Sequence, residues 1–60
     1  MTYREAEEKA ILLSVVDGRT WFVMDCGPID RSVYEVHPKG ELPDADMVAY
    51  AVNGKATVIA

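Results

Sequence analysis

Polar residues with a few alanines fill the start of the chain, and this pattern predicts a short N-terminal helix over Thr2–Lys9. Thr2 is a good N-cap residue, and Glu5, three residues later, completes a capping box. Ala6 and Ala10 recur at helical spacing and are expected to face inward. Because so short a helix is unstable alone, it is predicted to pack against another element.

A run rich in apolar residues follows, and the dipeptide Asp17-Gly18 divides it into Ile11–Val16 and Arg19–Met24. An Asp-Gly pair between two such runs favours a β-hairpin, because its tight turn needs positive φ at both central residues. The alternative extends the helix to Val16 and makes Gly18 part of its C-cap region. We favour the hairpin, because the first run ends in two β-branched valines and lacks a polar helical face.

The C-terminal segment repeats this signature, with Asn53-Gly54 between Met47–Val52 and Lys55–Ala60. The alternative is a helix from Pro43 to Val52, with proline in its first turn, two early acidic residues and Gly54 after its end. We favour the hairpin here as well. Its turn sets two cross-strand pairs: Tyr50 with Thr57 and Val48 with Ile59.

Between these segments, Ser32–His37 alternates as a third strand does, and Glu41–Asp46 is predicted to be an acidic loop. The predicted fold class is therefore α+β, with a short N-terminal helix packed on a small antiparallel sheet of four to five strands built from two hairpins. A small SH3-like barrel also suits this strand spacing, and residues 1–60 form one domain. The predicted core comprises Ala10, Leu12, Val15, Phe22, Met24, Tyr34, Val36, Val48, Val58 and Ile59, with Trp21 at least half buried.

The small size of the chain limits what it can do. A domain of 60 residues buries only about 60 % of the surface of its unfolded chain, and it rarely forms a catalytic cleft. Cys26 is the only cysteine, so no disulfide forms within one chain. Cys26 and His37 are two soft ligands where a structural zinc site uses four, so we predict no metal and no cofactor. A lone thiol and the absence of a long apolar run predict a cytoplasmic protein that does not enter membranes.

The charge of the chain points to a basic partner. Ten acidic residues stand against six lysines and arginines, for a formal net charge of −4. The basic residues are scattered singly, which argues against direct nucleic-acid binding. An acidic surface speeds the encounter with a basic protein surface. We expect a monomer or a weak homodimer, because a C-terminal edge strand is able to pair between chains.

Cys26 and His37 are also the residues suited to nucleophilic catalysis, with Asp25 or Asp30 available to orient the histidine. No motif around them supports such chemistry, and the four glycines form no phosphate-binding loop. The sequence therefore predicts a protein that is not an enzyme. A small enzyme that depends on Cys26 is a weaker alternative.

Acidic residues cluster in two places, Glu5–Glu8 and Glu41–Asp46. In an extended loop Asp44 and Asp46 project to the same side about 6.6 Å apart, close to the step between successive phosphates. Such rows suit a protein that occupies a nucleic-acid-binding groove, and exposed aromatic residues would add apolar contact. The predicted partner-binding residues are Glu5, Glu7, Glu8, Trp21, Tyr34, Glu41, Asp44 and Asp46.

The short chain, its start at Met1, the patches Glu5–Glu8 and Glu41–Asp46 and the lack of enzyme motifs together resemble the small acidic inhibitors encoded by phages and mobile elements. Anti-CRISPR proteins are the best-populated class of these. The resemblance implies binding to a CRISPR effector complex at a site meant for DNA. The alternative is an SH3-like or antitoxin-like interaction module that binds a partner through the aromatic residues Trp21 and Tyr34.

Overall fold

The computed structural model describes residues 1–59 and contains one helix and four strands in that range. The helix α1 spans Tyr3–Asp17, and the strands are β1 (Trp21–Asp25), β2 (Tyr34–Pro38), β3 (Asp46–Val52) and β4 (Lys55–Val58). The strands form a single antiparallel sheet in the order β2-β1-β3-β4. The predicted α+β class, with an N-terminal helix on an antiparallel sheet, is confirmed with four strands. The sheet is open, so the SH3-like barrel is wrong.

Both ends of α1 are fixed by local capping. The Thr2 hydroxyl accepts from the Glu5 amide at 3.2 Å, and the Glu5 carboxylate accepts from the Thr2 amide at 2.9 Å, which confirms the predicted capping box. Gly18 ends the helix in the left-handed conformation, with φ of 71°. The helix thus continues past Lys9 to Asp17, and the predicted first hairpin is wrong.

The inner face of the helix explains why the longer helix forms. Ala6, Ala10 and Ser14 follow one another at a spacing of four residues, and all three are buried. Ile11 packs beside this face, whereas Leu12 and Val15 point away from the sheet and are 62 % and 63 % exposed. Their assignment to the core was therefore wrong, because it assumed that this segment was a strand.

The second predicted hairpin is confirmed. Asn53 and Gly54 both adopt positive φ, at 50° and 81°, as the tight turn between β3 and β4 requires. Tyr50 lies opposite Thr57, and the Ile59 amide donates to the Val48 carbonyl at 3.0 Å. The alternative helix from Pro43 to Val52 does not form. The last residue of the predicted strand, Ala60, lies outside the described residues.

The core between helix and sheet is made of small side chains. Ala6 and Ala10 of α1 meet Val23, Ala49 and Ala51 of the two central strands, and all five are at most 1 % exposed. Alanines let the helix backbone lie close to the sheet. Tyr3, Trp21, Tyr34, Val36 and Val48 surround this cluster and are half-buried. Val58 and Ile59 are 61 % and 47 % exposed because they lie at the β4 edge, so they do not belong to the core as predicted.

A second layer covers the other face of the sheet. The connection 39–45 joins β2 to β3 and must cross β1, which lies between them. Because α1 occupies one face, this connection runs over the other. Met24 is 1 % exposed but lies outside the helix-side cluster, whereas Leu42 and Pro43 of the connection are half-buried. On this face the rings of Phe22 and Tyr50 lie 6.0 Å apart.

Ser14 connects α1 to the β3–β4 turn, and its removal is expected to cost stability. The buried Ser14 hydroxyl donates to the Ile11 carbonyl at 2.8 Å and accepts from the Gly54 amide at 2.9 Å. Ser14→Ala leaves that amide without its partner, so we expect a loss of about 1–3 kcal/mol in the free energy of unfolding. Urea denaturation measures this loss. The control is Thr57→Ala at an exposed position, for which we expect a loss below about 1 kcal/mol. Equal losses in the two variants would contradict this role of Ser14.

Candidate functional site

The fold brings the two acidic segments of the sequence to the same end of the molecule. The Tyr3 ring at the start of α1 packs edge-on against Tyr34, with centroids 5.5 Å apart. Tyr34 lies opposite Asp25 at the end of β1, and Asp25 lies opposite Asp46 at the start of β3. We call this end the acidic pole. Its acidic side chains include Glu5, Glu7, Glu8, Asp25, Asp44 and Asp46.

Glu41 lies at the opposite end, apart from the residues with which it was predicted to act. Its carboxylate pairs with Arg19 at 3.1 Å, near the start of β1. Lys39 is held there by a bond of 2.9 Å from its amide to the Thr20 carbonyl, and Lys55 follows the β3–β4 turn. Three basic residues therefore stand beside two acidic ones, Asp17 and Glu41, at this end. At the acidic pole Arg4 and Arg31 stand among a larger number of carboxylates, so the molecule is electrically polarised.

The acidic residues of the helix are partly engaged within the chain. Glu5 caps α1, and the hydrogen bonds from the Thr2 backbone and side chain lower the pKa of its carboxyl. Glu7 accepts from the Tyr3 hydroxyl at 2.9 Å. Burial and this bond raise the pKa of Tyr3. Glu8 lies 3.6 Å from Arg4 in an exposed pair, which contributes little to stability.

Asp44 and Asp46 are exposed, and neither forms a side-chain hydrogen bond or an ion pair with any other residue of the range 1–59. The chain bends before β3, where the Ala45 amide donates to the Pro43 carbonyl at 3.0 Å. The segment is therefore not fully extended as the phosphate-spacing argument assumed. Both carboxylates are nevertheless free to contact a partner.

An open pocket of about 310 Å³ lies at the acidic pole, lined by Asp25, Cys26, Gly27, Asp44, Ala45 and Asp46. None of these lining residues is basic. Asp25 and Asp46 face each other directly across β1 and β3, and like charges in that position destabilise a sheet. The register of the sheet thus places two acidic residues side by side at the rim of this pocket.

Asp25 organises the loop that forms one wall of this pocket. Its carboxylate accepts from the Ser32 hydroxyl at 2.9 Å and from the amides of Gly27 and Val33 at 3.1 and 3.2 Å. These bonds, that from Ser32 first, hold the pKa of Asp25 below its ordinary value. Asp25 therefore remains charged at neutral pH despite the neighbouring Asp46.

This lowered pKa predicts a pH dependence of stability. A carboxyl whose pKa is lower in the folded state than in the unfolded state stabilises the fold. This contribution is fully present at pH values above the unfolded-state pKa of about 4. The contribution is lost as the pH falls through the folded-state pKa of Asp25. We expect Asp25→Asn to flatten the loss of stability below about pH 4, and Ser32→Ala to have a smaller effect in the same direction. Urea denaturation across this pH range measures the slope, and an Asp25→Asn slope equal to that of the wild type would contradict the assignment.

The two predicted aromatic contact residues pack against the helix side. The Trp21 indole N–H donates to Asp17 at 2.9 Å, and the Arg19 guanidinium lies 5.6 Å from the ring centroid. The indole donor, followed by Arg19, lowers the pKa of Asp17. Tyr34 packs beneath Tyr3. Both predicted residues are half-buried parts of the fold.

Cys26 and His37 do come close together, but Glu35 lies with them. One ligand atom from each of the three side chains falls within 4.8 Å of the other two, and His37 Nε2 is 2.8 Å from Glu35 Oε1. Asp25 and Asp30, which were predicted to orient His37, are not its partners. The sequence carried a signal for Glu35, because alternation along a strand places residues 35 and 37 on one face.

No protein-family model matches this sequence, and neither the curated proteins nor the solved structures contain a match.

The environment of Cys26 does not activate it as a nucleophile. Burial, followed by the charge of Glu35 and a hydrogen bond to it, raises the pKa of the Cys26 thiol. Because the thiolate is the reactive form, a raised pKa keeps the group in its unreactive state at neutral pH. Within residues 1–59 no hydrogen bond joins the Cys26 thiol to the imidazole, as a cysteine nucleophile requires, because His37 Nε2 is bonded to Glu35.

Within residues 1–59 the single helix has 15 residues, fewer than the number required to cross a bilayer. The predicted cytoplasmic location stays a prediction.

Proposed function

We propose that this protein is a non-enzymatic inhibitor that binds the basic nucleic-acid-binding surface of a larger complex through its acidic pole. The observation that carries the proposal is the gathering of carboxylates from α1, β1 and the start of β3 at one end of the molecule. These residues are up to 41 positions apart in sequence, from Glu5 to Asp46. A basic groove is their natural electrostatic complement.

Two further features support this assignment. Asp44 and Asp46 are exposed and make no ion pair within residues 1–59, so binding a basic surface breaks no such pair of theirs. The polarised charge distribution also orients the protein during its approach, because the acidic pole is attracted and the opposite end is not. The class of partner suggested by the resemblance to anti-CRISPR proteins is a CRISPR effector complex.

A matched pair of variants tests the proposal. The double variant Asp44→Asn with Asp46→Asn raises the net charge by two, and Glu41→Lys raises it by the same amount at the opposite end. We expect the double variant to weaken binding at least about tenfold, which is about 1.4 kcal/mol. Glu41→Lys is expected to change the affinity by no more than about twofold, because salt screens the interaction of the partner with charges that do not touch it.

The experiment uses the tagged protein to capture its partner from host lysate at low salt, with stepwise elution by salt. The isolated partner is then mixed with labelled DNA, and the protein and its two variants compete for the DNA-binding site. The proposal predicts release at high salt and displacement of DNA by the wild type. Displacement that is equal in all three proteins would contradict it. Capture that resists salt would contradict the proposal and would favour the interaction module that binds through aromatic residues.

A further inference from the structure

Cys26, Glu35 and His37 form a cluster that the proposed function does not use. Glu35 and His37 lie two residues apart on β2, and Cys26 follows the end of the neighbouring strand β1. The Cys26 amide donates to the Val33 carbonyl at 2.8 Å, which extends the pairing of the two strands and holds Cys26 beside them. We propose that these three side chains bind a divalent transition-metal ion, with Zn²⁺ the best match.

The spacing of the three side chains suits such an ion. Zinc ligands lie about 2.0–2.3 Å from the metal in a tetrahedron, so neighbouring donor atoms are about 3.3–3.8 Å apart. The His37 and Glu35 donors are 2.8 Å apart, and all three donors lie within 4.8 Å of one another. Small side-chain rotations bring these separations to the required values, with no change in the strands.

The chemistry of the donors also selects this class of ion. On binding, the metal displaces the proton of the Cys26 thiol, which passes to solvent. The resulting thiolate, the Glu35 carboxylate and a neutral His37 imidazole together carry two negative charges, which a divalent cation neutralises. Thiolate and imidazole favour zinc and similar transition metals over Mg²⁺ or Ca²⁺, which prefer oxygen ligands. Three protein ligands leave a fourth position for water. Cys26 also lines the open pocket, so solvent reaches the cluster from that side.

This proposal departs from the sequence-based prediction that the protein binds no metal. That prediction counted cysteine and histidine alone and found two ligands. The strand pairing supplies a third, because Glu35 lies opposite Met24 and hence diagonal to Cys26. A carboxylate is an ordinary zinc ligand, so Glu35 is able to serve as the third ligand.

Titration of the reduced full-length protein with Co²⁺ tests the site, because a cobalt–thiolate bond gives a charge-transfer band in the near ultraviolet. We expect saturation at one Co²⁺ per chain, and loss of the band when Zn²⁺ displaces it. Cys26→Ser should abolish the band, and His37→Gln should weaken Co²⁺ binding at least about tenfold. Glu41→Gln, which removes a carboxylate at the opposite end of the molecule, should bind Co²⁺ as the wild type does and is the control.

A second measurement covers the case of a variant that folds poorly. In the wild type, bound Zn²⁺ should slow alkylation of Cys26 at least about tenfold, because the metal occupies the sulfur. Circular dichroism verifies that each variant is folded. Absence of the band at stoichiometric Co²⁺ in the folded wild type would overturn the proposal. Binding by folded His37→Gln that equals the wild type would overturn it as well.

Discussion

Ala49→Leu is expected to destabilise the protein by about 3 kcal/mol or more, the largest effect of any single substitution in the core. Ala49 is fully buried in β3, opposite Val23 of β1 and beneath α1. The added isobutyl group has no space unless the helix moves away from the sheet, and overpacking of this kind costs about 1–3 kcal/mol or more. Because a chain of 60 residues is only marginally stable, we expect a large unfolded population.

Thermal and urea denaturation followed by circular dichroism measure this loss. Val58→Leu is the matched control, because it enlarges an apolar side chain that is 61 % exposed on the edge strand. That variant should unfold within about 0.5 kcal/mol of the wild type. A folded Ala49→Leu protein with wild-type stability would show that α1 does not lie as close to the sheet as described.

Gly27→Ala is expected to disrupt the loop between β1 and β2. A methyl group at this position would overlap the carbonyl oxygen of Arg31 and would lie 2.6 Å from the amide nitrogen of Val33. Both are backbone atoms, so no side-chain rotation relieves the contact. The loop must rearrange, which weakens the bonds that Asp25 accepts from Gly27 and Val33. We expect a loss of about 2–4 kcal/mol in the free energy of unfolding.

Gly40→Ala provides the comparison for this variant. Gly40 has a φ of 96°, but a methyl group there meets no atom within 4 Å. Gly40→Ala therefore loses only the free energy required to hold an alanine at positive φ, about 1–2 kcal/mol. Urea denaturation of the two variants should show the larger loss for Gly27→Ala. The reverse order would mean that the loop 26–33 adapts to a side chain and that its packing is not restrictive.

The limits of prediction from this sequence are clearest at its two Gly-containing turns. Asn53-Gly54 forms the predicted hairpin because both residues adopt positive φ and the flanking strands pair in the sheet. Asp17-Gly18 has nearly the same sequence signature, yet Gly18 ends a helix. A glycine with positive φ suits both roles, so the dipeptide alone does not decide between them. The spacing of Ala6, Ala10 and Ser14 was the signal that favoured the helix.

The candidate site was predictable only in part for a similar reason. The acidic segments were visible in the sequence, but their meeting at one pole depends on the crossover of the connection 39–45 and on the direction of α1. Glu41 and Asp44 are near in sequence but belong to opposite ends, because that connection crosses the sheet. Trp21 and Tyr34 are half-buried on the helix side, as their assignment to the core predicted, and their added role as partner-binding residues stays a prediction.

The most direct test of the central claim is an NMR titration of the ¹⁵N-labelled protein with a short oligo-arginine peptide, which represents a basic surface. Binding through the acidic pole predicts amide shifts at Glu5–Glu8, at Asp25 and at Asp44–Asp46, and these shifts should decrease as salt is added. Residues around Glu41 and Lys55 should remain unshifted. Shifts spread evenly over the chain, or centred on Phe22 and Tyr50 and insensitive to salt, would contradict the account.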